Sequence, residues 1–304
     1  MNEYRFLTSF YNSLHEKPWM HPNFYTPLRR VTRKVAAKRL PRYFENNPVD
    51  TNKCRVEKGV IASFTSFPAR IEHAHMIVQC MFHQTVRPEK VFLWLSKEQF
   101  RDKSVLPSKL LALENECFEI RMVEGDIRSH KKYYYVCKEF PKAKILLLDD
   151  DIIYHYALLE RLLFAYNNGD AQIICNYSHL IQRDTSGKLL PYKKWKPNYT
   201  ETKGDEVFFG SGGGTLMRAC DFDPILTNIE LAQKLTPIAD DIWLNSIARY
   251  SKLTIKMISH GAIMPLLIEN NKCLYTSNVI ENQNDIQLKN ICNHFCTENF
   301  KFDK

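Results

Sequence analysis

Three consecutive aspartates, Asp149, Asp150 and Asp151, follow directly on the apolar run Ile145-Leu146-Leu147-Leu148, and Ile152 and Ile153 come straight after them. At about 6 Å and an effective dielectric near 20, each neighbouring carboxylate pair repels by roughly 3 kcal/mol, so such a cluster at the rim of a core calls for a cation. Oxygen-only ligands suit Mg²⁺ or Mn²⁺. If the strand carries on through the acids, Asp149 and Asp151 share one face and Asp150 points to the other. The spacing then predicts an Asp-x-Asp clamp facing a metal and a phosphorylated ligand, with Asp150 fixing the loop. The competing reading is three solvated acids at a turn, and the buried strand in front of them weighs against it.

Two further segments have side chains or backbone suited to the same chemistry. Thr236-Pro237-Ile238-Ala239-Asp240-Asp241-Ile242-Trp243 predicts a helix with Thr236 as N-cap and Pro237 at its first position. Acids in a first turn are favoured by the helix dipole even without a function, so only their company raises Asp240 and Asp241 above that reading. In Phe209-Gly210-Ser211-Gly212-Gly213-Gly214, four of the chain's ten glycines fall in five residues. Backbone there takes unusual dihedrals or lets a ligand approach closely, and a plain glycine-rich turn is the alternative.

The elements that must position these groups are legible as alternation. Apolar runs predict strands at 59–64, 91–95, 118–123, 145–148 and 172–175, and helical patterns fall at 71–83, 106–116, 131–139 and 158–167. Such spacing implies an α/β fold with a mainly parallel sheet and right-handed crossovers, in which ligands bind beyond the carboxyl ends of the strands. Residues 65–70, Asp126 and the aspartate triplet all fall there. The polar, Tyr- and Lys-rich stretch 184–205 reads as a loop or hairpin. Neither GxGxxG nor GxxxxGK[ST] occurs, which argues against dinucleotide and P-loop binding and leaves phosphate binding mostly to a metal.

The chain has 304 residues, 44% of them hydrophobic, enough for a large core. Residues 1–58 hold 12 Lys/Arg against 5 Asp/Glu, whereas the remaining 246 carry 30 against 29, so the net charge of +8 is a local device. Its centre is 28–42, with seven cations, no acid, and Leu28, Val31 and Val35 at helical spacing; aromatics such as Tyr4, Phe6, Phe10, Trp19 and Phe24 lie upstream. A basic helix beside aromatics suits an anionic membrane surface through residues 1–45, with nucleic acid the less favoured partner and a helix packed on the main domain the plain alternative.

No stretch reaches the roughly 18 apolar residues needed to span a bilayer and the first residues lack a signal-peptide pattern, so a cytoplasmic protein is expected, peripheral on the inner face of the membrane if the arm binds it. Nine scattered cysteines without a CxxC pair fit reduced thiols, and Cys273 with Cys292, His294 and Cys296 has no standard zinc spacing. The sequons at Asn176 and Asn198 read as chance in such a protein.

Taken together, Ser63-Phe64-Thr65-Ser66-Phe67-Pro68-Ala69-Arg70-Ile71, Gln84-Thr85, Pro88-Glu89-Lys90-Val91, Leu93-Trp94-Leu95-Ser96, Asp126-Ile127, Lys131-Lys132, the triplet, Gly212-Gly213-Gly214 and Ala239-Asp240-Asp241-Ile242-Trp243 resemble a metal-dependent glycosyltransferase of the GT-A fold. The likeness is to bacterial family-2-like enzymes of capsule and lipopolysaccharide synthesis and spans about 59–270, divided into a nucleotide-binding half (59–151) and an acceptor half (152–270). An N-terminal arm (1–58) and a C-terminal tail (271–304) flank it.

The resemblance implies a nucleotide-sugar donor, a UDP-sugar first among them, and a saccharide or lipid-linked acceptor. It places Thr65, Arg70, Asp126 and Gly213 near the nucleotide and Lys131 or Lys132 near phosphate. Asp149 would face ribose or metal, Asp150 would lie beside the donor, and Asp151 would ligate Mn²⁺ or Mg²⁺, with His260 as a third ligand. Asp241, supported by Asp240, would be the general base of an inverting enzyme; a retaining one needs none, so the stereochemistry stays open. The alternatives are a metal-dependent nucleotidyltransferase or phosphohydrolase, and a non-catalytic sugar-binding or nucleic-acid-binding protein.

Overall fold

The computed structural model describes residues 2–14, 22–51, 54–258, 263–266 and 282–295. Two helices, α1 (Glu3–Ser13) and α2 (Pro22–Asn46), precede the sheet. Strands and helices then alternate as β1 (Val56–Thr65), α3 (Ala74–Phe82), β2 (Arg87–Ser96), α4 (Ser108–Leu111), β3 (Phe118–Val123), α5 (Lys131–Glu139) and β4 (Lys144–Leu148). The second half contains β5 (Ile152–Ile153), α6 (Leu158–Asn167), β6 (Ile173–Cys175), β7 (Ser178–Leu180), β8 (Lys196–Pro197), β9 (Thr202–Lys203), β10 (Val207–Phe209), β11 (Gly213–Met217), α7 (Ile229–Leu235), α8 (Asp240–Tyr250), β12 (Ile255–Met257), β13 (Met264–Pro265) and α9 (Gln283–His294).

The central sheet has eight strands in the order β3-β2-β1-β4-β11-β6-β12-β9. The first four are parallel, while β11 is inserted antiparallel between β4 and β6. This is the expected α/β class, a mainly parallel Rossmann-like sheet flanked by helices. Side chains alternate across it: Val60, Ala62, Phe64, Leu146 and Leu148 enter the core layer on one face, and Ile61, Ile145 and Leu147 that on the other. The central strands are therefore apolar on both sides, as a sheet covered by helices on both faces requires.

Three local expectations are corrected. The strand before the acids ends at Leu148, and Asp150 and Asp151 form a turn. The Asp149 N–H donates to the Tyr154 hydroxyl at 2.7 Å instead of a neighbouring strand, so strand alternation does not sort the three carboxylates. Thr236 does not start α8. Its N–H donates to the Ala232 carbonyl and closes α7, while the N–H groups of Ile238 and Ala239 are taken by Gln287 Oε1, which holds that segment out of helix until Asp240. The helix expected at 106–116 is only α4, because the Asn115 side chain accepts from the N–H groups of Cys117 and Phe118 and turns the chain into β3.

The N-terminal helices lie against the same core layer as β1 and β4. Helix α1 buries Tyr4, Leu7 and Tyr11, and α2 buries Tyr25, Ala36, Leu40 and Phe44. Tyr4 meets Phe44 edge-on at 5.3 Å and donates its hydroxyl to the Tyr154 carbonyl at 2.6 Å. The opposite side of α2 presents Phe24, Leu28, Val31 and Val35 outward. Among the described residues no helix is long and apolar enough to cross a membrane. His260, Cys273 and Cys296 lie outside the described residues, and Asn176 and Asn198 are buried.

Candidate functional site

The loops after β1, β3 and β4 meet at the carboxyl ends of their strands around a cavity of about 1010 Å³. Residues Thr65, Arg70, Asp126 and the aspartate triplet, drawn from three separate loops, all line it. The loop after β1 is fastened to the triplet: Ser66 Oγ donates to Asp150 at 2.6 Å, and the Arg70 guanidinium bridges Asp150 and Asp151 at 2.9 Å each. Asp150, 5% exposed, is thus a loop anchor; burial raises its pKa against the opposing pull of Arg70. Arg70, expected beside the nucleotide, has its charge engaged by these two acids. The Thr65 hydroxyl is likewise used inside the protein, donating to the Trp94 carbonyl at 2.8 Å.

Helix α5 brings two buried lysines to the cavity. Lys131 pairs with Asp126, whose carboxylate also accepts from Gln99 Nε2 at 2.8 Å and the Arg128 N–H at 2.9 Å. Lys132 joins the two acid groups, contacting Asp149 at 2.6 Å and Asp240 at 3.1 Å. Burial acts to discharge Lys132, but Asp149, Asp240 and Asp241 outweigh it and hold the ammonium firmly protonated. The lysine itself is placed by the sheet: Ser63 Oγ donates to the Lys132 carbonyl at 2.5 Å and accepts from Trp94 Nε1 at 3.0 Å.

Across Lys132, the glycine-rich segment holds the acids of α8. Ser211 donates its N–H to Asp241 at 2.7 Å and its hydroxyl to Asp240 at 2.7 Å. The two neighbours titrate in opposite directions. Burial would raise Asp240, but Lys132 and His130 prevail and lower it; burial and the adjacent Asp240 charge push Asp241 up to about 7. A first-turn position lowers a carboxylate's pKa through the helix dipole. At Asp241 burial and like charge outweigh that pull, as is required of a base that works near neutrality.

Gly212 is required by packing. A Cβ there would lie 1.8 Å from the Asp149 carboxyl carbon, and one on Gly213 would lie 2.6 Å from Tyr177 Cβ. Gly213, expected to cradle the donor, is instead a strand residue lining a second cavity, of about 640 Å³. The two cavities share Asp149, Asp151, Asp241, Tyr177 and Pro197.

Asp149, Asp150, Asp151, Asp240 and Asp241 set five carboxylates against the charges of Lys132 and Arg70. The excess appears as proton affinity: burial and then Asp149 raise Asp151 to about 6. Among the described residues no three His, Cys, Asp or Glu side chains converge as a complete protein cage for a metal. The donor set nevertheless fits Mg²⁺ or Mn²⁺ in chemistry, since such ions are commonly held by one or two carboxylates with substrate phosphates completing the shell.

Several participants escaped sequence reading. Tyr154 accepts from the Asp149 N–H and donates to the Gly212 carbonyl at 2.5 Å, tying both acid-bearing segments together. Tyr177, His179, Tyr192, Trp195 and Phe208 form an aromatic wall of the larger cavity. Tyr192 and Trp195 were the available signal, as large aromatics inside the otherwise polar stretch 184–205.

No protein-family model and no curated protein matches the chain. Solved structures of similar chain course include 4-diphosphocytidyl-2C-methyl-D-erythritol synthase from Anaerococcus prevotii, at 11% identity and a TM-score of 0.42, covering 75% of this chain and 98% of that one. The UTP-bound UGPase of Acinetobacter baumannii is 8% identical with a TM-score of 0.44, covering 79% and 93%. HddC from Yersinia pseudotuberculosis is 9% identical with a TM-score of 0.31, covering 55% and 78%. Likenesses of this size say nothing about the reaction of this chain.

Proposed function

We propose that the protein is a metal-dependent glycosyltransferase that moves a sugar from a nucleotide-sugar donor to a saccharide or lipid-linked acceptor in surface-glycan synthesis. The observation that carries this reading is the acidic wall shared by two cavities: a donor on one side and an acceptor on the other would meet at Asp149, Asp151 and Asp241. Asp149 and Asp151 would hold Mn²⁺ or Mg²⁺, which supplies Lewis-acid stabilisation of the charge that develops on a departing diphosphate. Lys131 and Lys132 lie on the same side and add fixed positive charge. Asp241, poised near neutrality, takes the proton of the acceptor hydroxyl as it attacks the anomeric carbon, and Asp240 with Lys132 and Ser211 keeps it oriented. The stripe of Phe24, Leu28, Val31 and Val35 on α2, with Lys34 and Lys38 exposed nearby, would seat the enzyme on the inner face of an anionic membrane.

A second reading is nucleotidyl transfer. The cluster of Arg128, Lys131 and Lys132 at the larger cavity suits a triphosphate as well as a diphosphate. The deciding experiment is product analysis with Mn²⁺ across UDP-, GDP- and CMP-sugars and across nucleoside triphosphates with hexose 1-phosphates. Release of the donor's nucleotide in step with acceptor glycosylation is expected. Pyrophosphate release from a triphosphate, with every nucleotide sugar inert, would replace the first reading by the second.

A further inference from the structure

The smaller cavity has a basic side that the proposed transfer reaction does not use. Helix α2 places Thr26, Arg29, Arg30 and Arg33 along one face, and all four line this cavity together with Asp149, Asp151 and Asp241. The spacing i, i+3, i+4, i+7 makes that a single helical face, directed away from the outward stripe of Phe24, Leu28, Val31 and Val35. Two of the arginines are held in place. Arg29 donates to the Tyr11 hydroxyl at 3.1 Å and lies over that ring at 4.8 Å, and Arg33 Nε donates to the Pro265 carbonyl at 3.1 Å. None of the ion pairs among the described residues takes up Arg29, Arg30 or Arg33, although three carboxylates line the same cavity.

Two anchored guanidinium groups, Arg29 and Arg33, with the exposed Arg30 between them and no ion pair to the three acids of the same cavity, leave room for a ligand that is anionic at one end and meets the acids at the other. Guanidinium forks match the geometry of phosphate oxygens and form charge-assisted hydrogen bonds with them. Tyr177 and Tyr199, both part-exposed, line the same cavity and are side chains against which a sugar ring can pack. We propose that this cavity binds an acceptor carrying a phosphate, with Arg29, Arg30 and Arg33 on the phosphate and the saccharide turned toward Asp241. The inference rests on the reading that the smaller cavity is the acceptor side.

The test is calorimetric titration of the full chain, with Mg²⁺ and saturating UDP, using a panel of hexose 1-phosphates, the matching methyl hexosides and inorganic phosphate. At least one hexose 1-phosphate should bind about tenfold or more tightly than both its methyl hexoside and inorganic phosphate, from the strength of hydrogen bonds to a charged group. The double variant Arg30→Gln/Arg33→Gln should bring that preference close to parity, while Arg30→Lys/Arg33→Lys retains part of it and controls for folding. Parity in the parent chain, or an unchanged preference in the Gln variant, overturns the proposal. Inorganic phosphate binding as tightly as the sugar phosphates also overturns it, reducing the cavity to an anion site. Loss of binding to phosphatidylglycerol vesicles in the Gln variant, with sugar-phosphate preference intact, would return these arginines to a membrane role. Pyrophosphate release from UTP and a hexose 1-phosphate would instead remove the glycosyl-transfer reading and leave the phosphate site standing.

Discussion

The two cavities share one acidic wall yet differ in how the cations beside it are held, although Arg128 and Lys193, elsewhere on the larger cavity, also take no acid partner among the described residues. On the larger side Lys131, Lys132 and Arg70 are each locked onto aspartates; on the smaller side Arg29, Arg30 and Arg33 take no acid partner among the described residues. A cation already neutralised by its own protein organises backbone and carboxylates, whereas one held by neutral groups keeps its charge for a ligand. The lesson is that basic residues cannot be pooled into one function from their density in the sequence. Even within α2, Lys34 and Lys38 face solvent, Arg39 pairs with Glu3, and Arg29, Arg30 and Arg33 face a cavity.

The comparison breaks most severely if its shared wall is altered. Asp241→Asn should lower kcat by about 100- to 10,000-fold with donor binding retained, the range for losing a general base; steady-state kinetics at saturating donor would check it. In the parent chain kcat should rise on its acidic limb as pH increases through about 7, where Asp241 loses its proton. The stability sign is opposite: because the folded pKa lies above the unfolded one, stability falls as pH rises from about 4 to 7. Asp241→Asn should therefore melt higher than the parent at pH 8 in chelator while being inactive, and a lower melting temperature there would refute the charge account. Lys132→Met leaves Asp149 and Asp240 without their shared cation and should cost about 3–5 kcal/mol, measured by urea unfolding.

Smaller effects test the flanking supports. Gly212→Ala drives a methyl into the Asp149 carboxylate and should reduce turnover about 100-fold with little change in fold, since misplacing a reacting group by about 1 Å costs that much. Tyr4→Phe removes one buried hydrogen bond and should cost about 1 kcal/mol in thermal unfolding. Phe24→Glu with Val31→Glu, on the outward side of α2, should weaken sedimentation with anionic vesicles a few-fold and leave the preference for sugar phosphates untouched.

Most of the sheet was legible because apolar runs such as 145–148 and 91–95 are buried on both faces and leave a continuous signal. What periodicity does not encode is direction: nothing in Gly213-Gly214-Thr215-Leu216-Met217 says that β11 runs against β4. Strands of two or three residues, such as β5 and β13, fall below any repeat length. The site was legible as a collection of residues, since the acids, both lysines and Arg70 do meet. Their pairings were not. Arg70 lies 80 residues from Asp150 and Ser211 lies 29 from Asp240, and partners chosen by tertiary approach leave no local pattern. For the aspartate clamp only the rationale failed: a turn after Leu148, not strand alternation, places Asp149 and Asp151 on both cavities and Asp150 against the loop.

The hydrogen bond from Tyr4 to the carbonyl of Tyr154 spans 150 positions, and Tyr154 also holds Asp149 and Gly212 in place. Emerging at about 5–20 residues per second, a nascent chain would wait roughly 8–30 seconds between presenting Tyr4 and presenting its acceptor. For that interval the first helix can pack on α2, through Tyr4 and Phe44, but its hydroxyl tie to the site has no acceptor. That tie therefore forms late, and the acidic centre is completed later still, once Gly212 and the acids of α8 have been made.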